Sequence, residues 1–256
     1  MRAGGIEAGG TKFICAVGSG PSDIEVSQPI PTRDPESTLR DVIDFFAGRK
    51  LKRIGIGSFG PVNLASGSIS KTTPKLDWRG VPIRKIVESK LAVKCAIDTD
   101  VNTAALAEHR WGAARGVDDF VYLTVGTGIG GGAMVGGKLV HGLLHPEMGH
   151  LRMPPSARGV CPSHEHCLEG YASGPAVQKL GSEKTAYYLA LGIINICAVL
   201  SPRLVILGGG VMKTPGLLTS IRAELKKESY VPIPRLVRPE LGDRAGVLGA
   251  IALAAG

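Results

Sequence analysis

The stretch Gly5-Ile6-Glu7-Ala8-Gly9-Gly10-Thr11-Lys12 decides how this chain is read. A short apolar strand runs into paired glycines, a threonine and a lysine, and a second apolar strand, Phe13 to Val17, returns from them. Strand, glycine turn and returning strand make a hairpin. In such a turn Gly9, Gly10 and Thr11 can aim N–H groups and a hydroxyl at an anion, and Lys12 adds positive charge. A plain structural hairpin uses the same residues, so the motif needs support from elsewhere. A second copy of the pattern supplies it. Strand Phe120 to Val125 enters Gly126-Thr127-Gly128-Ile129-Gly130-Gly131-Gly132, and apolar Ala133 to Val135 follows. A structural turn needs one or two glycines. A denser run is costly in unfolded-state entropy and points to close approach of a ligand. Two such hairpins facing each other can clamp one phosphate chain.

The material between and after the hairpins alternates. Glu36 to Phe46 reads as a helix with Leu39, Val42, Ile43 and Phe46 on one face. Ile54 to Gly57 and Val93 to Ile97 are short strands, and Asn102 to Trp111 is a helix. Further on, Thr185 to Leu200 is a long apolar helix, Leu204 to Leu207 a buried strand, Leu217 to Lys227 an amphipathic helix and Gly246 to Ala254 a closing apolar one. This order gives an α/β class. It predicts a first domain over 1–112, a second over 113–245, and a last helix over 246–256 that packs back on the first.

Two segments match G-x-G-x-x-G, at Gly55 to Gly60 and at Gly126 to Gly131. A dinucleotide fold needs that motif to open a helix. The first runs into Pro61-Val62-Asn63 and the second into a strand-like run, so both contexts fail. No G-x-x-x-x-G-K-[ST] is present, so any ATP is bound without a Walker loop.

Asp98-Thr99-Asp100-Val101-Asn102 follows a buried strand and precedes a helix. Its polar groups therefore sit at a strand's C-terminal end, where α/β proteins place ligands. Thr99, Asp100 or Asn102 can cap the helix. Cys161-Pro162-Ser163-His164-Glu165-His166-Cys167 sets two thiols and an imidazole at a spacing that can converge on one tetrahedral zinc. Leu207-Gly208-Gly209-Gly210-Val211 is either a flat backbone surface for a ligand or a helix-capping turn.

Together, in this order, these motifs resemble the ROK family of sugar kinases, its fructokinase branch most closely, from Gly5 to the C-terminus. The resemblance implies an actin-like ATPase (ribonuclease H-like) fold, with two α/β domains around a cleft. The implied activity is ATP-dependent phosphorylation of D-fructose to fructose 6-phosphate, with Mg-ATP and zinc as cofactors. Another hexose (mannose, glucose or an N-acetylhexosamine) or a non-catalytic sugar-binding module is the alternative. ATP-binding residues are then Gly9, Gly10, Thr11, Lys12, Thr127, Gly128, Gly130, Gly208, Gly209 and Gly210. Asp100 matches the family's general base, with Asp98 as its competitor. The E-x-G-H element at Glu147-Met148-Gly149-His150 joins Asn63, Asp100 and Glu169 as the sugar site, with Lys75 a further candidate. Zinc is assigned to His150, Cys161, His164 and Cys167, with His166 competing for the fourth position. Most members carry Asp where this chain has Glu7. The stretches 151–160, 181–186 and 228–236 are short for the family.

Composition agrees with a globular enzyme. Hydrophobic residues make up 44% and charged residues 20%. The net charge of +8 comes from Lys and Arg spread along the chain with no basic run, so nucleic acid is not the expected partner. The MRAGG start holds no signal-like apolar run, and no stretch reaches the roughly 20 apolar residues of a membrane span. Five cysteines without a signal peptide argue against a disulfide scaffold. A cytoplasmic homodimer taking hexose and ATP is the resulting expectation.

Overall fold

The computed structural model describes residues 2–155, 158–230 and 232–256. Strands β1 (Ala3–Ala8) and β2 (Lys12–Gly20) pair antiparallel from Ala3↔Gly18 to Ala8↔Phe13, with Gly9 to Thr11 as the turn. The Gly9 N–H closes that turn on the Lys12 carbonyl at 3.0 Å. Outside β2 lie β3 (Asp23–Val26) and β4 (Ile30–Pro31). Helix α1 (Pro35–Phe46) opens with Pro35 in its first turn and with Asp34 accepting the Ser37 N–H at 2.9 Å, and it buries Leu39, Val42 and Phe46. Next come β5 (Arg53–Ser58), the small hairpin of β6 (Val62–Asn63) and β7 (Ser68–Ile69), and α2 (Ile83–Leu91). They are followed by β8 (Lys94–Thr99) and α3 (Asp100–Trp111). The sheet order is β3-β2-β1-β5-β8, with β1, β5 and β8 parallel. Helix α2 is the one long element of this half that the apolar spacing alone does not announce.

The second sheet repeats the plan. β9 (Phe120–Val125) and β10 (Ile129–Val135) form the hairpin, and β11 (Lys138–Leu139) extends its edge. Helices α4 (Leu168–Ala172), α5 (Gly174–Leu180) and α6 (Ser182–Leu200) precede β12 (Leu204–Gly208), and α7 (Leu217–Glu228) precedes β13 (Arg235–Val237). The order is β11-β10-β9-β12-β13, with β12 parallel to both neighbours. The glycine run is shorter as a turn than the sequence suggests. Only Gly126 to Gly128 turn, and Gly130 to Gly132 lie in β10 opposite Thr124, Leu123 and Tyr122. Their smallness serves packing: a Cβ on Gly131 would fall 2.6 Å from the Met148 side chain. Helix α6 is long and apolar enough to pass for a membrane span by length and composition. Its apolar positions, among them Leu189, Ile193 and Ile196, are buried in the core of this sheet. Gly181 alone joins α5 to α6. The other two short stretches, 151–160 and 228–236, include residues 156, 157 and 231, which lie outside the described residues.

The chain divides into two compact units. One holds Met1–Arg115, His141–His145 and Leu241–Gly256, and the other holds Gly116–Val140 and Pro146–Glu240. The last helix, α8 (Ala245–Ala255), belongs to the first unit and packs on α3, β1, β2 and β5. Its sequence, AGVLGAIALAA, is small and apolar all round, which fits a helix buried on every side. At Gly249 an added Cβ would lie 1.7 Å from the Thr103 carbonyl oxygen of α3. A Cβ on Gly55 of β5 would lie 1.8 Å from the Ala250 carbonyl oxygen. Both neighbours are backbone, so a methyl group there forces elements apart. Overpacking costs about 1–3 kcal/mol, and a chain of this size loses roughly 2–4 °C in Tm per kcal/mol. Thermal scans of Gly249→Ala and Gly55→Ala should therefore show a drop on the order of 5 °C. Unchanged melting would mean that α8 does not sit on α3 and β5 this closely.

Candidate active site

In the first unit the turn between β1 and β2 is pinned from outside. Thr32 donates its hydroxyl to the Gly9 carbonyl at 2.8 Å and its N–H to the Thr11 carbonyl at 2.9 Å. The two carbonyls are thereby held away, while Thr11 and Lys12 stay exposed. The Lys75 side chain lies over Gly10, its Cε 3.6 Å from where a Cβ would stand. Two lysines thus flank one glycine turn, the arrangement an anionic ligand calls for.

Glu7 ends the strand that feeds this turn. Its carboxylate takes the N–H of Val247, the third residue of α8, a helix whose own N-cap Arg244 supplies no side-chain bond. Burial pushes the Glu7 carboxyl above its ordinary value, against the pull of Lys12 and the Val247 N–H. Its Oε2 is buried with no hydrogen-bond partner.

The Asp98–Asn102 segment sorts its residues by role. Thr99 is the N-cap of α3 and accepts the Asn102 N–H at 3.1 Å. Asp98 is buried and fully engaged: Oδ1 accepts the Thr99 N–H and the Asn102 side-chain amide, each at 2.7 Å, and Oδ2 lies 2.8 Å from His141 Nε2. Asp100 is the first residue of α3 and spends Oδ1 on the Val101 N–H of its own turn at 2.9 Å. Burial pushes its carboxyl up to about 7; the Val101 N–H opposes the shift and the Glu7 charge reinforces it. A carboxyl tuned toward neutrality and bound only to its own helix turn suits proton transfer better than one held on three sides. Asn63 is exposed on the β6–β7 hairpin and uses Oδ1 to accept the Ser66 N–H at 2.9 Å.

In the second unit the β9–β10 turn is held from two directions. Gly174 donates to the Gly126 carbonyl at 2.7 Å, and Glu169 Oε2 accepts the Ile129 N–H at 2.9 Å. Thr127 projects exposed between them, Gly128 lies partly buried beside it, and Gly130 lies one residue inside β10. Gly208 ends β12, Gly209 turns with φ +89° against the Val125 backbone, and Gly210 starts a 3-10 turn with open space beside it. Glu147 and His150 bracket another 3-10 turn, closed by the His150 N–H on the Glu147 carbonyl at 2.9 Å.

His150, Cys161 and Cys167 converge, their ligand atoms all within 4.8 Å of one another. Burial pushes the Cys167 thiol up to about 11, and the neighbouring Cys161 adds to it. His164 stands beside this group with its ring 5.3 Å from that of His150, and it contributes its carbonyl to Cys167 Sγ at 3.2 Å. His166 is engaged elsewhere, with Nδ1 on the Tyr171 hydroxyl.

Sequence reading missed two histidines. His141 and His145 belong to the first unit although the chain on either side of them belongs to the second. His145 Nε2 accepts the Val62 N–H at 3.1 Å. The only signal was a pair of histidines bracketing exposed leucines, and nothing in it names Asp98 or Val62 as partners. A cavity of about 530 Å³ lined by Arg2, Arg53, Arg110 and Trp111 lies at the opposite ends of β1, β5 and α3 from Glu7 and Asp100. Arg110 there donates to the Ala252 carbonyl near the end of α8 at 3.4 Å, so helix termination accounts for part of its charge.

Known proteins identify the family. The profile of the ROK family matches residues 3–186 and 181–256, and the two matches meet where the α5–α6 joint is short. A putative fructokinase of Bacillus subtilis is 41% identical over 283 aligned positions, covering 98% of this chain and 94% of the relative. A fructokinase of Zymomonas mobilis is 38% identical, covering 98% and 95%. Among solved structures, a ROK hexokinase from Thermus thermophilus is similar with a TM-score of 0.84 at 30% identity, covering 100% of this chain and 98% of that one. A ROK family glucokinase from Streptomyces griseus, in complex with glucose and AMPPNP, is similar with a TM-score of 0.84 at 25% identity, covering 100% and 99%. The α/β architecture is the actin-like one of these kinases, and the chain belongs to the ROK family.

Proposed function

We propose that this protein is a fructokinase that transfers the γ-phosphoryl group of Mg-ATP to D-fructose, giving fructose 6-phosphate and ADP. The observation that carries the reading is Asp100, a carboxyl raised to about 7 at the head of α3, in the same unit as a lysine-flanked glycine turn. Similarity to fructokinases over nearly the whole chain narrows the acceptor to fructose. Phosphoryl transfer is mostly positioning and charge stabilisation, with a base to orient and deprotonate the hydroxyl. Ionised Asp100 takes the proton from the sugar hydroxyl. Lys12 and the N–H groups of Gly10 and Thr11 hold phosphate oxygens, as do Thr127 and Gly128 in the second unit; the Gly9 N–H is spent on the Lys12 carbonyl and shapes the turn instead. Gly208 to Gly210 offer flat backbone to the adenosine. Asn63, Glu147, His150 and Glu169 orient the sugar. Glu7, whose buried Oε2 lacks a hydrogen-bond partner, would hold the magnesium that comes with ATP, and that ion would supply charge neutralisation at the phosphates.

Two measurements test this. A coupled assay of ADP release across a sugar panel should give kcat/KM for fructose above those for glucose and N-acetylglucosamine. A preference for glucose would overturn the acceptor and leave the kinase reading. Second, kcat/KM should rise with pH along a limb with a midpoint near 7, because Asp100 works only when ionised. Asp100→Asn should erase that limb and lower kcat by on the order of 10²–10⁴. An Asp100→Asn enzyme at the wild-type rate overturns the assignment.

We further infer a structural zinc on His150, Cys161 and Cys167, with His164, whose ring lies beside that of His150, as the fourth donor. Zn–S and Zn–N bonds of about 2.3 and 2.0 Å need the donors only slightly closer than they stand. Two neighbouring thiols resist ionising together, and a divalent cation removes that resistance. The metal would tie the His150 turn to the chain carrying Glu169. Elemental analysis should find about one zinc per chain. Chelation and Cys161→Ser should each lower Tm and weaken sugar binding together. Metal-free protein with full activity and unaltered melting overturns the site.

A further inference from the structure

His141 contributes to a closed ring of hydrogen bonds that no site assignment above uses. Asp98 Oδ1 holds the Thr99 N–H and the Asn102 side chain, and Thr99 Oγ1 holds the Asn102 N–H. These three residues lock the first turn of α3, and Asp100 sits inside that turn. Asp98 and Asn102 are almost wholly buried, so neither is steadied by water. Two polar edges of the ring are left over: Asn102 Oδ1, buried without a hydrogen-bond partner, and Asp98 Oδ2, which His141 Nε2 covers at 2.8 Å.

A carboxylate oxygen accepts, so in its pairing with Asp98 Oδ2 the Nε2 of His141 carries the hydrogen and donates it. Asn102 Nδ2 donates to Asp98 and lies 3.3 Å from the same ring nitrogen. With its hydrogen on Nε2 the ring cannot accept from that amide, so the pair works through Asp98. His145, four residues on, anchors the far end of the segment on the Val62 N–H, so both ends of this five-residue excursion are fastened by imidazoles. The leucines between them, Leu143 and Leu144, are exposed and add no anchorage of their own.

We propose that His141 is a positioning residue for phosphoryl transfer: seated on Asp98, it fixes the first turn of α3 and with it the aim of the Asp100 carboxylate. The inference rests on the reading of Asp100 as the base. An unpartnered Oδ2 in a buried carboxylate draws in water or turns away, and either motion loosens the Thr99 and Asn102 bonds that share its other oxygen. Catalysis is sensitive to that scale of movement, since about 1 Å of misplacement costs roughly 10²-fold.

The test compares His141→Ala, His141→Gln, Asp98→Asn and the Asp98→Asn/His141→Ala pair in steady state, with Tm measured at the same pH. His141→Ala should lower kcat by on the order of 10- to 10²-fold with the KM for ATP unaltered. His141→Gln should recover most of it, because the glutamine amide nitrogen reaches the place of Nε2 and still donates. The double variant should be no slower than Asp98→Asn alone, as expected of residues acting as one unit. His141→Ala at the wild-type kcat overturns the proposal, and so does His141→Gln as slow as His141→Ala. Should Asp98→Asn not fold, the alanine and glutamine comparison decides alone. Asp100→Asn run alongside separates the two readings. If it is inactive while His141→Ala is unimpaired, only this inference falls. If it turns over normally, the assignment of the base falls.

Discussion

The backbone of α8 touches the backbone of α3 at Gly249, and the placement of the first unit's acids follows from that contact. With no Cβ between them the two helices approach to the limit of their main chains, and α8 presses equally on β5 at Gly55. The sheet, α3 and α8 therefore behave as one block. Glu7 leaves that block from the end of β1, Asp100 from the start of α3, and the Val247 N–H from the start of α8. A helix made almost entirely of alanine, glycine and branched aliphatics has no other obvious use for such small residues.

That geometry gives a reason for glutamate at position 7. The N-terminus of α8 has no side-chain cap of its own, and Glu7 reaches across to the Val247 N–H to supply one. Gly246 makes the reach possible, since a Cβ there would stand 2.4 Å from the Glu7 carboxyl carbon. An aspartate at this position would be one methylene shorter. The glutamate thus links the phosphate-loop hairpin to the closing helix, and its charge is what couples to Asp100.

Much of this was legible in the sequence because it is local. Each hairpin shows as apolar strand, glycine turn and apolar strand, and the helix opening at Asp98 to Asn102 is announced by its polar cluster after β8. The cap could be narrowed to three residues but not chosen: Thr99 takes the Asn102 N–H, while the Asn102 side chain is drawn to Asp98, whose other oxygen meets His141, 43 residues away. The glycine run was over-read for a related reason. Gly130 to Gly132 look like loop until Met148 is seen to fill the space a side chain at Gly131 would take. The C-x₂-H-x₂-C spacing pointed to Cys161, His164 and Cys167, and the group that converges is Cys161, Cys167 and His150, with His164 beside it and His166 on Tyr171; which imidazole meets the thiols is set by packing. Long-range pairing, not composition, is what the linear pattern withholds.

The same burial that tunes Asp100 sets a limit on stability. Its carboxyl binds a proton more tightly folded, near 7, than unfolded, near 3.8. A group raised in this direction stabilises the fold fully at pH values below the unfolded value. That contribution is lost as pH rises from about 4 to about 7. Above that window the folded protein carries a poorly solvated negative charge with Glu7 as a neighbour, opposed by the Val101 N–H and by the backbone of Asp100 itself. The form able to act as a base is therefore the less stable of the two, and the strain falls on the first turn of α3. A tightly fitted α8 behind that turn and a ring of hydrogen bonds around it are what such a site requires. The carboxylate must stay where it is poorly solvated, and the elements around it must be unable to relax toward water.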